Sequence, residues 1–205
     1  MARVLILFAH PALERSRVHA RMLRALPAHP DVTIHDLYEA YPRLDIDVEA
    51  EQKLLEAHDV IVFQHPFYWY STPPILKQWQ DLVLEHGWAY GSDAEALKGK
   101  TFVSALSAGG TEAAYCSAGY NRFTVRQLLA PVEQTAQLCG MLYLPPFVVF
   151  GTHRMSVEEI EARAQDYATL IEALRSGEPD DAERERLGGA ITINGFVSRL
   201  TGVAS

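Results

Sequence analysis

The sequence predicts an α/β protein built on a doubly wound, five-stranded parallel sheet with the strand order 2-1-3-4-5. Short apolar runs alternate with amphipathic segments along the chain of 205 residues, a pattern that is typical of βαβ units. The run VLILFA at 4–9 is apolar on both faces, as a strand buried between two helical layers must be. The loops after the first, third and fourth runs are polar or rich in glycine, as expected where such a sheet binds ligands.

The individual elements follow from this alternation. Strands are predicted at 4–9, 32–37, 60–63, 101–106 and 147–150, and helices at 16–26, 48–58, 73–83, 123–139 and 156–175. Pro73 and Pro74 can occupy a first helical turn, where a missing N–H costs nothing. Ser156 and Glu159 form a capping box. Pro131 either kinks the fourth helix or marks its true start.

The chain divides into a domain at 1–176 and a C-terminal extension at 177–205. The stretch GEPDDA at 177–182 has the composition of a linker. No helical period is clear after it. The segment 187–196 is nevertheless apolar enough to pack on the body of the protein or on a partner subunit, with an extra strand or disorder as alternatives.

Charge and composition exclude several classes of function. The formal net charge of −8 argues against a general nucleic-acid binder. Cys116 and Cys139 are far apart and form no Cys-x-x-Cys motif, so neither a structural disulfide nor a metal site is expected. The apolar run at 4–9 is too short for a signal or a membrane span, and we expect a cytoplasmic location.

The loop after the first strand, 9–16, contains His10 and Ser16. It leads into a helix, whose first N–H groups and positive end attract anions. Ser16 can cap that helix or donate its hydroxyl to a phosphate, and the His10 imidazole can bond a phosphate oxygen. A plain N-cap serine and a surface histidine explain the pattern equally well. The loop has no Gly-x-Gly-x-x-Gly motif, so a dinucleotide site is not indicated.

The loop after the third strand contains four consecutive aromatic residues at 67–70, between prolines on both sides. Alternate residues of an extended loop point in opposite directions, so the four cannot all enter a core. A stiff loop with aromatic faces and backbone N–H groups suits a flat heteroaromatic ring. A dimer interface, which also favours Trp and Tyr, is the alternative.

The loop after the fourth strand begins with Ser107 and continues through Gly109 and Gly110. Paired glycines allow the backbone to approach a ligand closely. Taken by itself, an ordinary strand-to-helix turn explains them better.

Together, these three loops resemble those of the flavodoxin-like NAD(P)H–quinone oxidoreductases of the DT-diaphorase type. Within that group the sequence is most similar to bacterial flavoproteins that serve as ancillary subunits of glutathione-gated potassium-efflux antiporters. Further matches are Tyr41-Pro42, Ile46-Asp47, Ala50-Glu51-Gln52, HGWAYG at 86–91 and LPPF at 144–147. The resemblance spans residues 4–174.

The resemblance implies a flavodoxin-like fold that binds FMN, with FAD as the alternative, and uses NAD(P)H as co-substrate. The flavin phosphate would be held by His10, Ser16, Arg17, Val18 and His19. The isoalloxazine would contact Pro66, Phe67, Tyr68, Trp69 and Tyr70, with its pyrimidine edge on Ser107, Ala108, Gly109 and Gly110. Tyr115 lies where the diaphorases carry a tyrosine that bonds the flavin or relays charge. The histidine expected six residues later is Asn121 here, which breaks that pair.

Three functions are compatible with these residues. The first is an NAD(P)H dehydrogenase (quinone) that reduces quinones or similar small acceptors by two-electron, ping-pong hydride transfer, with Tyr115 as proton donor. The second is an ancillary subunit of a potassium-efflux antiporter, peripheral to the inner face of the cell membrane. The third is an electron carrier, which the first loop fits less well. The resemblance also implies a homodimer, with Trp88–Tyr90 of one subunit near the other subunit's site, although this segment can equally pack on its own subunit.

Overall fold

A computed structural model describes residues 1–202 and confirms the predicted parallel sheet. Its strands are β1 (Val4–Phe8), β2 (Val32–Asp36), β3 (Val60–Pro66), β4 (Thr101–Ser107), β5 (Leu142–Tyr143) and β6 (Phe147–Val149). The order is β2-β1-β3-β4, and both β5 and β6 pair with β4. All of these pairs are parallel.

β5 and β6 share the fifth position of the sheet. Leu142 pairs with Thr101 at the start of β4, and Phe147 pairs with Ala105 near its end. Pro145 and Pro146 lie between the two strands, and proline has no N–H to offer a sheet ladder. The prediction of a strand at 147–150 therefore found only the second half of an interrupted strand.

Nine helices lie around the sheet in the described part of the chain. They are α1 (His19–Ala25), α2 (Leu37–Ala40), α3 (Val48–Glu56), α4 (Pro74–Val83), α5 (Val125–Leu128), α6 (Ala130–Leu138), α7 (Val157–Ser176), α8 (Asp181–Leu187) and α9 (Asn194–Thr201). The prediction that the first helix begins at Ser16 was wrong, because the Ser16 backbone is extended (ψ 112°) and α1 begins only at His19. The predicted helix at 123–139 is two helices, and Pro131 lies in the first turn of α6.

Two apolar layers sandwich the sheet. Alternate residues of each central strand enter opposite layers, so that Leu5 and Leu7 of β1 face α3, α4 and α6, whereas Val4 and Ile6 face α1 and α7. Every residue of β1 is buried. This two-sided burial is the reason that the strand is apolar at consecutive positions.

The C-terminal extension packs on the second of these layers. Leu187, Ile193, Phe196 and Val197 are buried in it beside α7. The Asn194 side-chain amide accepts a hydrogen bond from the Val148 N–H (3.0 Å) and donates to the Val148 carbonyl (2.7 Å). Asn194 thus caps the outer edge of β6, which would otherwise be open to pairing with another chain. The expected packing of the segment 187–196 on the body of the protein is confirmed, whereas α8 and α9 were not predicted because the tail shows no clear helical period.

The linker between the body of the protein and the C-terminal extension is shorter than predicted. α7 ends at Ser176 and α8 begins at Asp181, so the linker spans only 177–180. Arg126 Nη1 donates to the carbonyls of Gly188 (2.6 Å) and Ala190 (2.9 Å), which attaches the extension to α5. The division of the chain into a domain at 1–176 and an extension at 177–205 stays a prediction. The last three residues of the extension, 203–205, lie outside the described residues.

From residue 1 to residue 202, no helix is both long and apolar enough to cross a membrane.

Candidate active site

The three predicted loops meet at the carboxyl edge of the sheet. The rings of His10 and Tyr68 lie edge to face with centroids 6.4 Å apart. This contact joins the loop after β1 (9–16, the first loop) to the loop after β3 that contains the aromatic residues 67–70 (the aromatic loop). The Phe67 N–H donates to the Ser107 carbonyl (2.9 Å), which joins the aromatic loop to the loop after β4 at 107–110 (the glycine loop). His19, the first residue of α1, follows the first loop, and its Nε2 lies 2.9 Å from Ser107 Oγ in the glycine loop. The loops therefore form one site.

His10 and Ser16 present hydrogen-bond donors on the first loop. His10 Nδ1 accepts the Ala12 N–H (3.1 Å), so the neutral ring carries its proton on Nε2. Burial lowers the pKa of His10, and the carboxylates of Glu14 and Asp36 only partly oppose this effect. Ser16 Oγ accepts the His19 N–H (3.0 Å), which leaves the hydroxyl proton free to donate.

The backbone between Ser16 and α1 adds two further donors. Within residues 1–202, the N–H groups of Arg17 and Val18 find no acceptor. The Val18 side chain is buried in the core, so only its backbone can contact a ligand. The Arg17 guanidinium donates to the Met155 carbonyl (2.9 Å), which ties the first loop to the segment after β6. Such a cluster of donors suits an anion such as a phosphate.

His19 lies beneath the loop instead of on its surface. Its ring is buried and bonds to Ser107 Oγ, with Gln64 Nε2 at 3.4 Å from the other ring nitrogen. Burial, together with the nearby His10 and His65, lowers the pKa of His19 well below its usual value. The predicted contact between His19 and a phosphate is therefore not open to its imidazole.

The aromatic loop contains a strained turn. Trp69 and Tyr70 both have positive φ angles, 48° and 63°, and the Ser71 N–H closes the turn on the Tyr68 carbonyl (2.9 Å). Turns of this kind normally place Asn or Gly at the two central positions. A bulky residue there costs about 1–3 kcal/mol, and such strain is typical of functional sites. Trp69 is 93% exposed, so burial of its side chain does not offset this strain.

The same turn determines which N–H groups of the aromatic loop can reach a ligand. The N–H of Phe67 bonds to Ser107 and that of Tyr68 bonds to the Pro66 carbonyl (3.1 Å). Those of Trp69 and Tyr70 have no acceptor in the part of the chain that the structure describes. The two strained residues are therefore the available donors of this loop.

Gly109 and Gly110 allow two side chains to lie directly against the backbone. A Cβ on Gly109 would lie 2.5 Å from His153 Nε2, and one on Gly110 would lie 3.0 Å from the Tyr115 ring. The N–H of Ala108 is bonded to the Val149 carbonyl (2.8 Å). Those of the two glycines find no acceptor anywhere in residues 1–202, so they too are available to a ligand.

Tyr115 is buried among aromatic rings at the inner side of the site. Its ring centroid lies 6.0 Å from that of Phe67 and 5.7 Å from that of Phe150. Burial, reinforced by Tyr70, raises the pKa of Tyr115. Its hydroxyl therefore stays protonated at neutral pH and can act as a donor. Asn121 accepts a hydrogen bond from the Tyr70 hydroxyl (3.2 Å), which places it at the site as well.

Sequence reasoning missed several residues that the fold brings to this edge. His153 follows β6, and two N–H groups beside it, those of Gly151 and Thr152, bond to the Gly110 and Ala108 carbonyls (2.8 and 3.2 Å). Its position directly after the fifth strand was the feature of the sequence that could have indicated His153 as a site residue.

An open pocket of about 460 Å³ adjoins Tyr70, and its lining residues are Tyr70, Tyr120, Asn121, Arg122, Phe123 and Leu128.

The segment Trp88–Tyr90 lies elsewhere. The Trp88 indole donates to Glu56 Oε1 (2.9 Å), and both Trp88 and Tyr90 pack on the apolar layer of their own chain. Because Glu56 ends α3 just before β3 begins, this segment lies at the amino edge of the sheet, away from the three loops.

In the described residues, no group of three or more His, Cys, Asp or Glu side chains is arranged to hold a metal ion.

The chain is similar to known proteins over most of its length. Residues 2–172 match the family of proteins with a flavodoxin-like fold. The uncharacterized NAD(P)H oxidoreductase YdeQ of Bacillus subtilis is 47% identical over 169 residues, which cover 82% of this chain and 86% of that protein. The glutathione-regulated potassium-efflux system ancillary protein KefG of Serratia proteamaculans is 44% identical over 169 residues, which cover 82% of this chain and 92% of that protein.

Solved structures are similar over the same region. General stress protein 14 of Treponema denticola, crystallised in complex with FMN, superposes with a TM-score of 0.80 at 45% identity and covers 84% of this chain and 99% of that one. An NADPH-quinone reductase from P. pentosaceus superposes with a TM-score of 0.72 at 34% identity, covering 81% of this chain and 97% of that one.

Proposed function

Because the chain belongs to the family of the flavodoxin-like fold, we propose that it is an FMN-dependent NAD(P)H oxidoreductase that reduces quinones or similar small acceptors by two-electron, ping-pong hydride transfer. The observation that carries this proposal is a set of N–H groups on the three loops that have no acceptor within residues 1–202, at Arg17, Val18, Trp69, Tyr70, Gly109 and Gly110. A phosphate at one end and a ring with carbonyl edges at the other would use all of them.

The residues fit FMN in two groups. The Ser16 hydroxyl, His10 Nε2 and the N–H groups of Arg17 and Val18 would hold the phosphate. The turn at Trp69 and Tyr70 and the two glycines would hold the isoalloxazine. FMN is preferred to FAD because the similar protein from Treponema denticola was crystallised with FMN.

Bound FMN would supply the redox chemistry, accepting a hydride from NAD(P)H and passing two electrons to the acceptor. The protein's contribution is electrostatic. Fixed N–H groups of Trp69 and Tyr70 would stabilise negative charge on the ring system, by the logic of an oxyanion hole. The neutral Tyr115 hydroxyl would hold a proton for the acceptor, and the aromatic pocket at Tyr120 and Phe123 would take a flat acceptor.

Purification tests the cofactor directly. We expect the protein to be yellow and to release FMN on heating. Ser16→Ala should weaken FMN binding roughly 3- to 10-fold through loss of one phosphate hydrogen bond, whereas Ser176→Ala, on the far end of α7, should not change it. A colourless protein that no flavin reconstitutes would overturn the proposal.

A second candidate function is that of an ancillary subunit of a potassium-efflux antiporter. The 44% identity to KefG favours it, and it is compatible with enzymatic activity. Co-purification with membranes that contain the cognate antiporter, and a change in potassium efflux on deletion, would support it. Efflux that is unaffected by the deletion would exclude this role.

We also propose that the protein forms a homodimer. Trp69 is almost fully exposed and Tyr120 and Phe123 are strongly exposed, so this face leaves aromatic surface uncovered. Trp88–Tyr90, at the opposite edge of its own sheet, would approach the site of the neighbouring subunit. Sedimentation that shows a stable, active monomer would disprove the dimer.

A further inference from the structure

A chain of hydrogen bonds runs through the core to the candidate site. The Tyr167 hydroxyl on α7 donates to Gln64 Oε1 on β3 (2.9 Å). Gln64 Nε2 lies 3.4 Å from His19 Nδ1, and His19 Nε2 lies 2.9 Å from Ser107 Oγ. Tyr167, Gln64 and His19 are all buried, and only Ser107, at the end of β4, borders the site.

The buried tyrosine determines the direction of this chain. Within residues 1–202, the Tyr167 hydroxyl has no acceptor other than Gln64, and an unpaired buried hydroxyl proton is costly. Tyr167 must therefore donate to the amide oxygen. The amide nitrogen of Gln64 then faces His19 and donates to Nδ1.

The direction propagates from there to the site. With Nδ1 as an acceptor, the neutral His19 ring carries its proton on Nε2 and donates it to Ser107 Oγ. The Ser107 oxygen is thus engaged as an acceptor, and its own proton must be directed elsewhere. Burial keeps His19 neutral by lowering its pKa, which this arrangement requires, because an imidazolium could not accept from Gln64.

We propose that Tyr167, Gln64 and His19 are positioning residues that make Ser107 a hydrogen-bond donor toward the bound ligand. This inference rests on the proposed function and deepens it. The pyrimidine edge of an isoalloxazine alternates carbonyl acceptors with one N–H donor. A Ser107 whose proton is directed away from His19 can donate it to one of these carbonyl oxygens.

Removing the Tyr167 hydroxyl should reverse the chain. In Tyr167→Phe, the Gln64 amide is free to turn over and accept from His19 Nδ1–H, so that Ser107 donates inward to Nε2. The ligand then loses one donor, and we expect the dissociation constant for FMN, measured by fluorescence titration, to rise about 3- to 10-fold.

A double-mutant cycle separates this effect from general loosening of the core. Ser107→Ala alone should raise the FMN dissociation constant by a similar factor, and Tyr167→Phe should add nothing in that background. Tyr143→Phe is the matched control. It removes another buried tyrosine hydroxyl, which has no hydrogen-bond partner in the part of the chain that the structure describes, and it should leave FMN affinity within about 2-fold.

The tautomer of His19 can be measured without flavin. Imidazole nitrogen NMR on the full-length apoprotein, labelled at histidine and assigned by the loss of one signal in His19→Gln, should show the Nε2–H form in the wild type. Tyr167→Phe should shift it toward Nδ1–H. An Nδ1–H form or an imidazolium in the wild type would overturn the inference. It would also be overturned if Tyr167→Phe raised the FMN dissociation constant by the same factor in the wild type and in Ser107→Ala. Absence of flavin binding would instead defeat the proposed function and leave the tautomer result valid.

Discussion

Replacing Glu51 on α3 should destabilise the fold strongly. The residue is 1% exposed. Its carboxylate accepts three hydrogen bonds, from His35 Nε2 (2.7 Å), the Tyr41 hydroxyl (2.6 Å) and the Trp79 indole N–H (2.8 Å). These donors come from β2, the segment after α2, and α4. Glu51 therefore links α3 by hydrogen bonds to β2, to the segment after α2 and to α4.

The magnitude follows from what each donor loses in Glu51→Ala. Trp79 is buried and cannot reach water, so its N–H becomes an unsatisfied buried donor. His35 and Tyr41 are partly exposed and recover some hydration. We expect a total loss of about 4 kcal/mol in the free energy of unfolding, which for a chain of this length lowers Tm by about 10 °C. Glu51→Gln can keep its amide oxygen on the Trp79 N–H but turns an NH2 group toward His35 and Tyr41, and it should cost about 2 kcal/mol.

Acid should remove this contribution. Burial raises the pKa of Glu51, but the bonds from His35, Tyr41 and Trp79 outweigh it and leave the pKa below its usual value of 4.5. A carboxylate with a lowered folded-state pKa stabilises the fold above its unfolded pKa and ceases to do so as the pH falls through the folded value. The difference between wild type and Glu51→Ala should thus be constant from pH 7 to about pH 5 and shrink below about pH 4.

Urea unfolding followed by tryptophan fluorescence measures these differences. Glu49→Ala on the same helix is the matched control, since its ion pair with Lys53 is exposed and should not contribute measurably. A loss of less than about 1 kcal/mol in Glu51→Ala, or a loss equal to that of Glu49→Ala, would refute the role of Glu51.

Three further predictions concern the loops and the tail. Gly119→Ala places a Cβ 2.5 Å from the Ala113 carbonyl oxygen, so we expect lower stability in urea unfolding and weaker quinone reduction. Gly195→Ala, whose Cβ would meet no described residue within 4 Å, should be neutral or slightly stabilising. Trp69→Gly removes strain and should stabilise the apoprotein by about 0.5–1 kcal/mol yet weaken FMN binding; lower apoprotein stability would contradict the strained turn. Truncation after Gly177 uncovers Val148 and the residues beneath α9, and thermal unfolding should show a loss of about 4–6 kcal/mol. An unchanged Tm would mean that the tail does not stabilise the body.

Much of the fold could be predicted because buried parallel strands carry their signal locally. β1 is apolar at every position, since both of its faces enter a core. The short β5 carries no such signal, because its two residues join the sheet only through their register with Thr101 and Phe102. α9 was missed for a similar reason, since packing against α7 and the bond from Asn194 to Val148 stabilise it.

The sequence by itself determined which three loops would form the site, because parallel topology brings the carboxyl ends of neighbouring strands together whatever their side chains. Only the tertiary structure decided what each loop offers a ligand. It buries His19 under Ser107 and ties Arg17 to Met155. Among the described residues it also leaves the N–H groups of Trp69 and Tyr70 without acceptors. Hydrogen bonds between segments distant in sequence settle these points, and a local pattern of residues does not encode them.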